Sequence, residues 1–183
     1  MKNLNFALVF ALVFALSTQN AFADDITLTG EVTAVATVTL TGETGYDSLD
    51  LTGAITDQAV VSVDELCNET DGYTVTLDSL NDDVGKLFLL NSDSGKKVAY
   101  TLTYNSTGSF VAVNFGGGDT ATISDKSAIN DGYPTAATYS MKLSIVDDAE
   151  ETTPNSGVFG ENDLASLPSG SYTDTLTFTI AAK

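Results

Sequence analysis

The amino-acid sequence predicts an all-β fold, built as an antiparallel β-sandwich. Apolar and polar residues alternate with a period of two along much of the chain, which is typical of strands with one buried and one solvated face. Clusters of Gly, Asn and Asp separate these stretches and predict turns between them. No segment of ten or more residues shows convincing helical periodicity. About eight strands joined by such turns favour a sandwich over alternating α/β layers.

The first 23 residues have the pattern of a secretory signal peptide. Lys2 precedes an uninterrupted apolar run over residues 6–16, and residues 21–23 (Ala-Phe-Ala) match a cleavage site. The run is too short to span a bilayer, for which about 20 apolar residues are needed. We therefore expect cleavage after Ala23 and export to the periplasm, the cell surface or the medium. The mature protein, residues 24–183, is expected to be a single sandwich domain with no membrane span.

The predicted strands follow one another along the mature chain. The first has the longest pattern, because apolar residues share one parity from Ile26 to Leu40 with only Gly30 interrupting. One or two helical turns are expected within 161–167, and residues 147–163 are expected to form a long exposed loop. The remaining strands are predicted over residues 58–64, 73–77, 86–90, 98–104, 111–115, 139–145 and 172–180.

The charge balance excludes several classes of function. The chain has 25 acidic and 7 basic residues, no His, and a formal charge of −18, and every basic residue is Lys. Without His there is no Ser-His-Asp triad and no His-ligated zinc or haem. The negative charge would repel nucleic acid. A carboxylate pair could still hydrolyse glycosides, but we expect a protein that is not an enzyme, with no catalytic residues, cofactor, metal site or nucleic-acid partner.

Cys67 is the single cysteine, which is unusual in an exported protein because cysteines there normally occur in pairs. One interpretation is a reactive thiol or an intermolecular disulfide. The other is a small buried residue at the end of a strand. The acidic neighbours Asp64 and Glu65 disfavour a thiolate, so we favour burial.

Three strand patterns together resemble a known family. They are V-x-V-x-x-x-C-N-x-x-x-G-Y-x-V-x-L at 61–77, V-A-Y-x-L-x-Y at 98–104 and G-S-Y-x-D-T-L-T-F-T-I at 170–180. This set resembles the spore-coat-U-like family of secreted β-sandwich proteins, which includes subunits of archaic chaperone–usher pili. In that family a Cys in the opening strand pairs with the Cys that precedes the glycine. Ala36 stands at the first position here, so the resemblance implies that Cys67 is the survivor of a lost disulfide.

The resemblance implies an immunoglobulin-like sandwich that is incomplete and is completed by a donor strand from another subunit. Its expected partners are copies of itself or related subunits, a periplasmic chaperone and an outer-membrane usher. The candidate donor in this sequence runs from Asp25 to Val32, with Ile26, Leu28 and Val32 as apolar anchors and Gly30 as a small residue between them. The implied function is that of an exported structural or surface subunit, of pilus or coat type, that assembles by strand complementation.

Two alternatives remain open from the residues alone. Residues 25–32 could be an ordinary first strand in a closed monomeric sandwich. The protein could also be a monomeric periplasmic or secreted binding module for carbohydrate or Ca²⁺. Acidic loops at 81–83, 91–94 and 147–151 could supply oxygen ligands, although none has EF-hand spacing. Tyr46 and Tyr133 lie near predicted turns and could stack on sugars.

Overall fold

The computed structural model describes residues 29–83, 85–127, 135–148 and 162–183. The predicted signal peptide with its cleavage site, and most of the predicted loop over 147–163, lie outside these residues. The chain divides into two compact units, residues 1–33 and 34–183. In the described part of the second unit there are nine strands and one short 3₁₀ helix, Leu164–Ser166, which lies where a helical turn was expected.

The strands account for most of the described second unit. In chain order they are β1 (Ala36–Gly42), β2 (Ile55–Cys67), β3 (Tyr73–Ser79), β4 (Leu87–Leu90), β5 (Lys97–Tyr104), β6 (Val111–Ala112), β7 (Thr120–Lys126), β8 (Thr135–Ile145) and β9 (Leu176–Ala182).

These strands form two antiparallel sheets. The larger sheet has the order β1-β2-β8-β5-β4, with β6 also paired to β5, and the smaller has the order β7-β3-β9. Alternate residues of both sheets point into one shared apolar core, as Val63 of β2 and Val75 of β3 illustrate. The prediction of an all-β antiparallel sandwich is therefore confirmed.

The observed strand ends differ from the predicted ones in a few places. The long pattern over 26–40 forms a strand only from Ala36 onward, and the strand predicted over 111–115 is reduced to β6. β7 is missing from the predicted strands. A bulge opposite Val75 and Thr76 places Ile123 and Ser124 side by side on buried positions, which breaks the period-two pattern of β7.

One side-chain amide extends the larger sheet beyond the end of β8. Asn162 is fully buried, and its Oδ1 accepts a hydrogen bond from the Ala99 amide at 2.8 Å. Its Nδ2 donates to the carbonyl oxygens of Ala99 and Val146 at 2.9 and 2.8 Å. The two bonds to Ala99 satisfy backbone groups of β5 that β8 no longer reaches, and the third satisfies the Val146 carbonyl just beyond β8.

The tyrosines divide between core and surface much as their parity predicts. Tyr73, Tyr100 and Tyr104 are each 3% exposed. Tyr139 and Tyr172 are partly buried and pack against the core. Tyr46 is 55% exposed, and Tyr133 lies outside the described residues.

Candidate functional site

The sandwich has two edge strands that face each other without forming a ladder. In the described part of the chain β1 pairs only with β2, and β9 pairs only with β3. The two strands belong to different sheets and lie close together on one side of the fold. Free backbone amide and carbonyl groups along such edges can pair with an added strand.

The inward face of β9 is incompletely covered. Leu176, Phe178 and Ile180 point toward the core but are only partly buried. The inward residues of the neighbouring strand β3, by contrast, are 0–4% exposed. On β1 the inward residue Leu40 is 45% exposed. The core therefore lacks apolar cover along the side where β1 and β9 meet.

An open cleft of about 430 Å³ occupies this side of the sandwich. We call it the acceptor groove. Its walls come from both edge strands and from the interior of the larger sheet, so a side chain entering it would reach the core. The residues lining the groove are Leu40, Gly42, Tyr46, Leu49, Val60, Val61, Leu89, Tyr100, Leu143, Asp174, Thr175, Leu176 and Phe178.

Among the described residues that line the groove, the one carboxylate belongs to Asp174, and it is bound by other groups of the protein. Asp174 Oδ2 accepts hydrogen bonds from the hydroxyls of Ser79, at 2.7 Å, and Tyr100. Its Oδ1 accepts from the backbone amides of Asn81, at 3.1 Å, and Thr175, at 2.7 Å. Burial and the adjacent charge of Asp174 raise the pKa of Tyr100 well above its ordinary value. These hydrogen bonds hold Asp174, which lies just before β9, against β3 and β5.

A second cleft, of about 460 Å³, adjoins the acceptor groove. It is lined mainly by residues 46–49 and 170–174, and it shares Tyr46, Leu49, Leu89 and Asp174 with the groove. Tyr46 therefore stands at the junction of the two clefts.

A separate buried polar cluster joins the two sheets. Glu65 of β2 is fully buried, and its Oε1 accepts a hydrogen bond from the Tyr104 hydroxyl at 2.7 Å. Its Oε2 accepts from the hydroxyls of Tyr73 and Ser124, at 2.9 and 3.0 Å. Burial first, and then these bonds, raise the pKa values of Tyr73 and Tyr104. The three donors satisfy the hydrogen-bonding capacity of the carboxylate, whose burial in the sandwich would otherwise cost free energy.

Cys67 ends β2, is fully buried, and carries a free thiol. Its Sγ accepts a hydrogen bond from the Glu69 amide at 3.4 Å. Ala36 lies directly opposite it in the β1–β2 ladder. The next pair is joined by a bond from the Asn68 amide to the Val35 carbonyl, at 3.0 Å. Ala36 and Cys67 therefore form a non-hydrogen-bonded pair, in which facing side chains come closest.

We expect an Ala36→Cys variant to form a disulfide with Cys67 under oxidising conditions. The Cα atoms of such a pair are about 4.5 Å apart, within the range that a disulfide bridges. Closing a loop of about 30 residues should raise the free energy of unfolding by about 3.7 kcal/mol. Thiol titration and thermal melting, each with and without reductant, would measure both effects. A Thr37→Cys control faces the other side of β1 and should keep two free thiols, whereas two free thiols in the Ala36→Cys variant would contradict the register.

The structure describes only part of the predicted donor segment. Ile26 and Leu28 lie outside the described residues. Gly30 and Val32 are exposed and lie in no strand, and the side chain of Val32 is 86% exposed. The acceptor side could not be predicted from the sequence, because its residues come from six different strands and two loops. The alternation of Leu176, Phe178 and Ile180 was visible in the sequence, but their incomplete cover was not.

Across the described residues no three His, Cys, Asp or Glu side chains are grouped so that they could hold a metal ion. The helical structure in these same residues is too short to cross a membrane. Comparison of the chain with models of known families, and with curated proteins, gave no match.

Proposed function

We propose that this protein is an exported structural subunit, of pilus or coat type, whose copies assemble by β-strand complementation. In this proposal residues 25–32 of one copy add to the free edge of β9 in the next copy and fill its acceptor groove. The observation that carries the proposal is the half-covered inward face of β9, which lies beside an unpaired edge and an apolar cleft.

The donor segment matches this surface in spacing and in length. Ile26, Leu28, Gly30 and Val32 recur at every second residue, as do the inward residues of β9. Eight extended residues span about 26 Å and the seven of β9 about 23 Å, at about 3.3 Å per residue. Backbone hydrogen bonds to β9 would supply affinity, and each buried Ile, Leu or Val side chain would add about 1.5–3 kcal/mol.

The distribution of polar residues also favours this pairing. Thr27, Thr29 and Glu31 occupy the opposite parity of the donor segment, so they would face solvent once the anchors enter the groove. The formal charge of −18 opposes indiscriminate association between copies. Burial of the anchors would overcome this repulsion at one edge.

The strand patterns that resemble the spore-coat-U-like family support the same proposal. They suggest an incomplete immunoglobulin-like sandwich as the folded unit. They also suggest a periplasmic chaperone and an outer-membrane usher as partners during export. The assembled protein would reside at the cell surface, with the periplasm as an intermediate location.

Electrophoresis of the mature chain, residues 24–183, tests the proposal. We expect oligomers that survive SDS without boiling, and thin fibres by electron microscopy. Deletion of residues 24–30 should abolish both, because it removes two of the three apolar anchors. Leu28→Asp should do the same, since it places a charge in an apolar groove.

Thr27→Asp is the matched control, because it adds the same charge one residue away on the solvent-facing parity. It should assemble like the unmodified chain. Strict monomers for the unmodified chain, or equal loss of assembly in both aspartate variants, would refute assembly through this segment.

A further inference from the structure

We propose that the ring of Tyr46 is a gate on the acceptor groove, seated on the end of β1 and displaced when a donor strand enters. This inference rests on the proposed function and adds to it a step that controls the rate of assembly. The contact between Gly42 and Tyr46, the loop that carries Tyr46 and the position of the ring in the groove all point to this role.

Gly42 leaves room for the Tyr46 ring because it has no side chain. A Cβ placed on Gly42 would overlap the Cε1 atom of Tyr46 and come within 2.8 Å of two other ring atoms. The backbone of Gly42 is not in the left-handed region, so its conformation does not itself require glycine. The absence of a side chain at this last residue of β1 instead allows the aromatic ring to lie directly against the strand.

The backbone that carries the gate is held in place, while the ring is free to leave. Glu43 donates its amide hydrogen to the Val60 carbonyl at 3.0 Å, and the Tyr46 amide donates to the Glu43 carbonyl at 3.2 Å. The side chain of Gln58 also donates to the Thr44 carbonyl at 3.3 Å. The Tyr46 side chain itself is 55% exposed, so a change of rotamer can move the ring into solvent.

The seated ring stands where an added strand must pass. Tyr46 lines the groove together with Leu40 and Gly42 on the β1 side and with Leu176 and Phe178 on the β9 side. It therefore covers the groove at the end where β1 finishes and β9 begins. A donor strand that pairs along the whole of β9 needs this space, so the ring must leave before docking is complete. In a subunit without a donor, the ring shields part of the uncovered core.

Peptide binding to a full-length acceptor tests the gate. The acceptor is the mature chain with Leu28→Asp, whose own segment should not dock. The probe is a fluorescent peptide of residues 24–33, and stopped-flow anisotropy gives its association rate. We expect Tyr46→Ala to raise this rate about tenfold, the equivalent of losing one aromatic contact.

Two further variants separate the gate from a general structural effect. Gly42→Ala leaves Tyr46 intact but displaces its ring, so it should accelerate association as Tyr46→Ala does. Tyr46→Phe keeps the ring and should bind at the unmodified rate. Thermal melting of each variant verifies that the acceptor remains folded.

The possible failures are distinguishable. If the peptide binds every acceptor at one rate, the gate is wrong and strand complementation stands. If Tyr46→Ala or Gly42→Ala slows association, the ring is part of the docking surface and the gate is again wrong. If the peptide binds no acceptor, the proposed function fails and the gate falls with it.

Discussion

Unfolding at alkaline pH is expected to be unusually steep, because three buried tyrosines resist ionisation in the folded protein. The pKa values of Tyr73, Tyr100 and Tyr104 are raised above the ordinary value of 10.0 by burial and by their contacts with Glu65 or Asp174. Below pH 10 these side chains are protonated in both states, so their contribution to stability is constant. Above pH 10 the unfolded chain loses these protons while the folded chain keeps them, and stability falls as pH rises.

The expected slope is about 1.4 kcal/mol per pH unit for each tyrosine, or about 4 kcal/mol per unit for the three together. Urea unfolding followed by circular dichroism between pH 8 and 12 would measure it, with phenolate absorbance recorded in parallel. Tyr104→Phe should remove about one third of the slope. Ionisation of every tyrosine near pH 10 without loss of structure would contradict the prediction.

Replacing Glu65 by Leu should cost at least about 3 kcal/mol of the free energy of unfolding. The change leaves the hydroxyls of Tyr73, Tyr104 and Ser124 buried without their acceptor, at about 1–3 kcal/mol for each. Urea or thermal denaturation would measure the loss. Asp64→Asn alters the exposed neighbour on the same strand and should change stability by less than about 1 kcal/mol.

A second substitution shows whether the loss of stability comes from the hydroxyls that are left without an acceptor. Tyr104→Phe should destabilise the unmodified protein, because it removes one donor from Glu65. In the Glu65→Leu background it should cost little or even restore stability, since the hydroxyl then has no partner. Equal effects of Tyr104→Phe in both backgrounds would mean that the hydrogen bond to Glu65 contributes nothing.

The alternation of apolar and polar residues was sufficient to predict those strands that bury one face and expose the other to solvent. β3, β5 and β8 could be predicted because apolar residues alternate along them and turn residues follow. The pattern failed at β7, where the bulge at Ile123 shifts the parity. It also did not reveal that Glu65 is buried, since its donors Tyr73, Tyr104 and Ser124 come from three other strands.

One part of the candidate site can likewise be proposed from the sequence, and the other part appears only in the folded structure. Residues 25–32 could be proposed as a donor segment from the sequence, because the spacing of the apolar anchors is a property of consecutive residues. The acceptor groove could not be predicted, since Leu40, Tyr100 and Phe178 become neighbours only when the strands take their places in the two sheets.

The sequence by itself determined the all-β class and most of the strands, because both depend on residues two positions apart. The tertiary structure alone decided which strands became edges, how completely each face was covered, and that Ala36 faces Cys67. Strand order and register arise from contacts between residues far apart in the chain, so no local pattern encodes them. The acceptor groove and the proposed gate at Tyr46 depend on such contacts, so they became visible only in the tertiary structure.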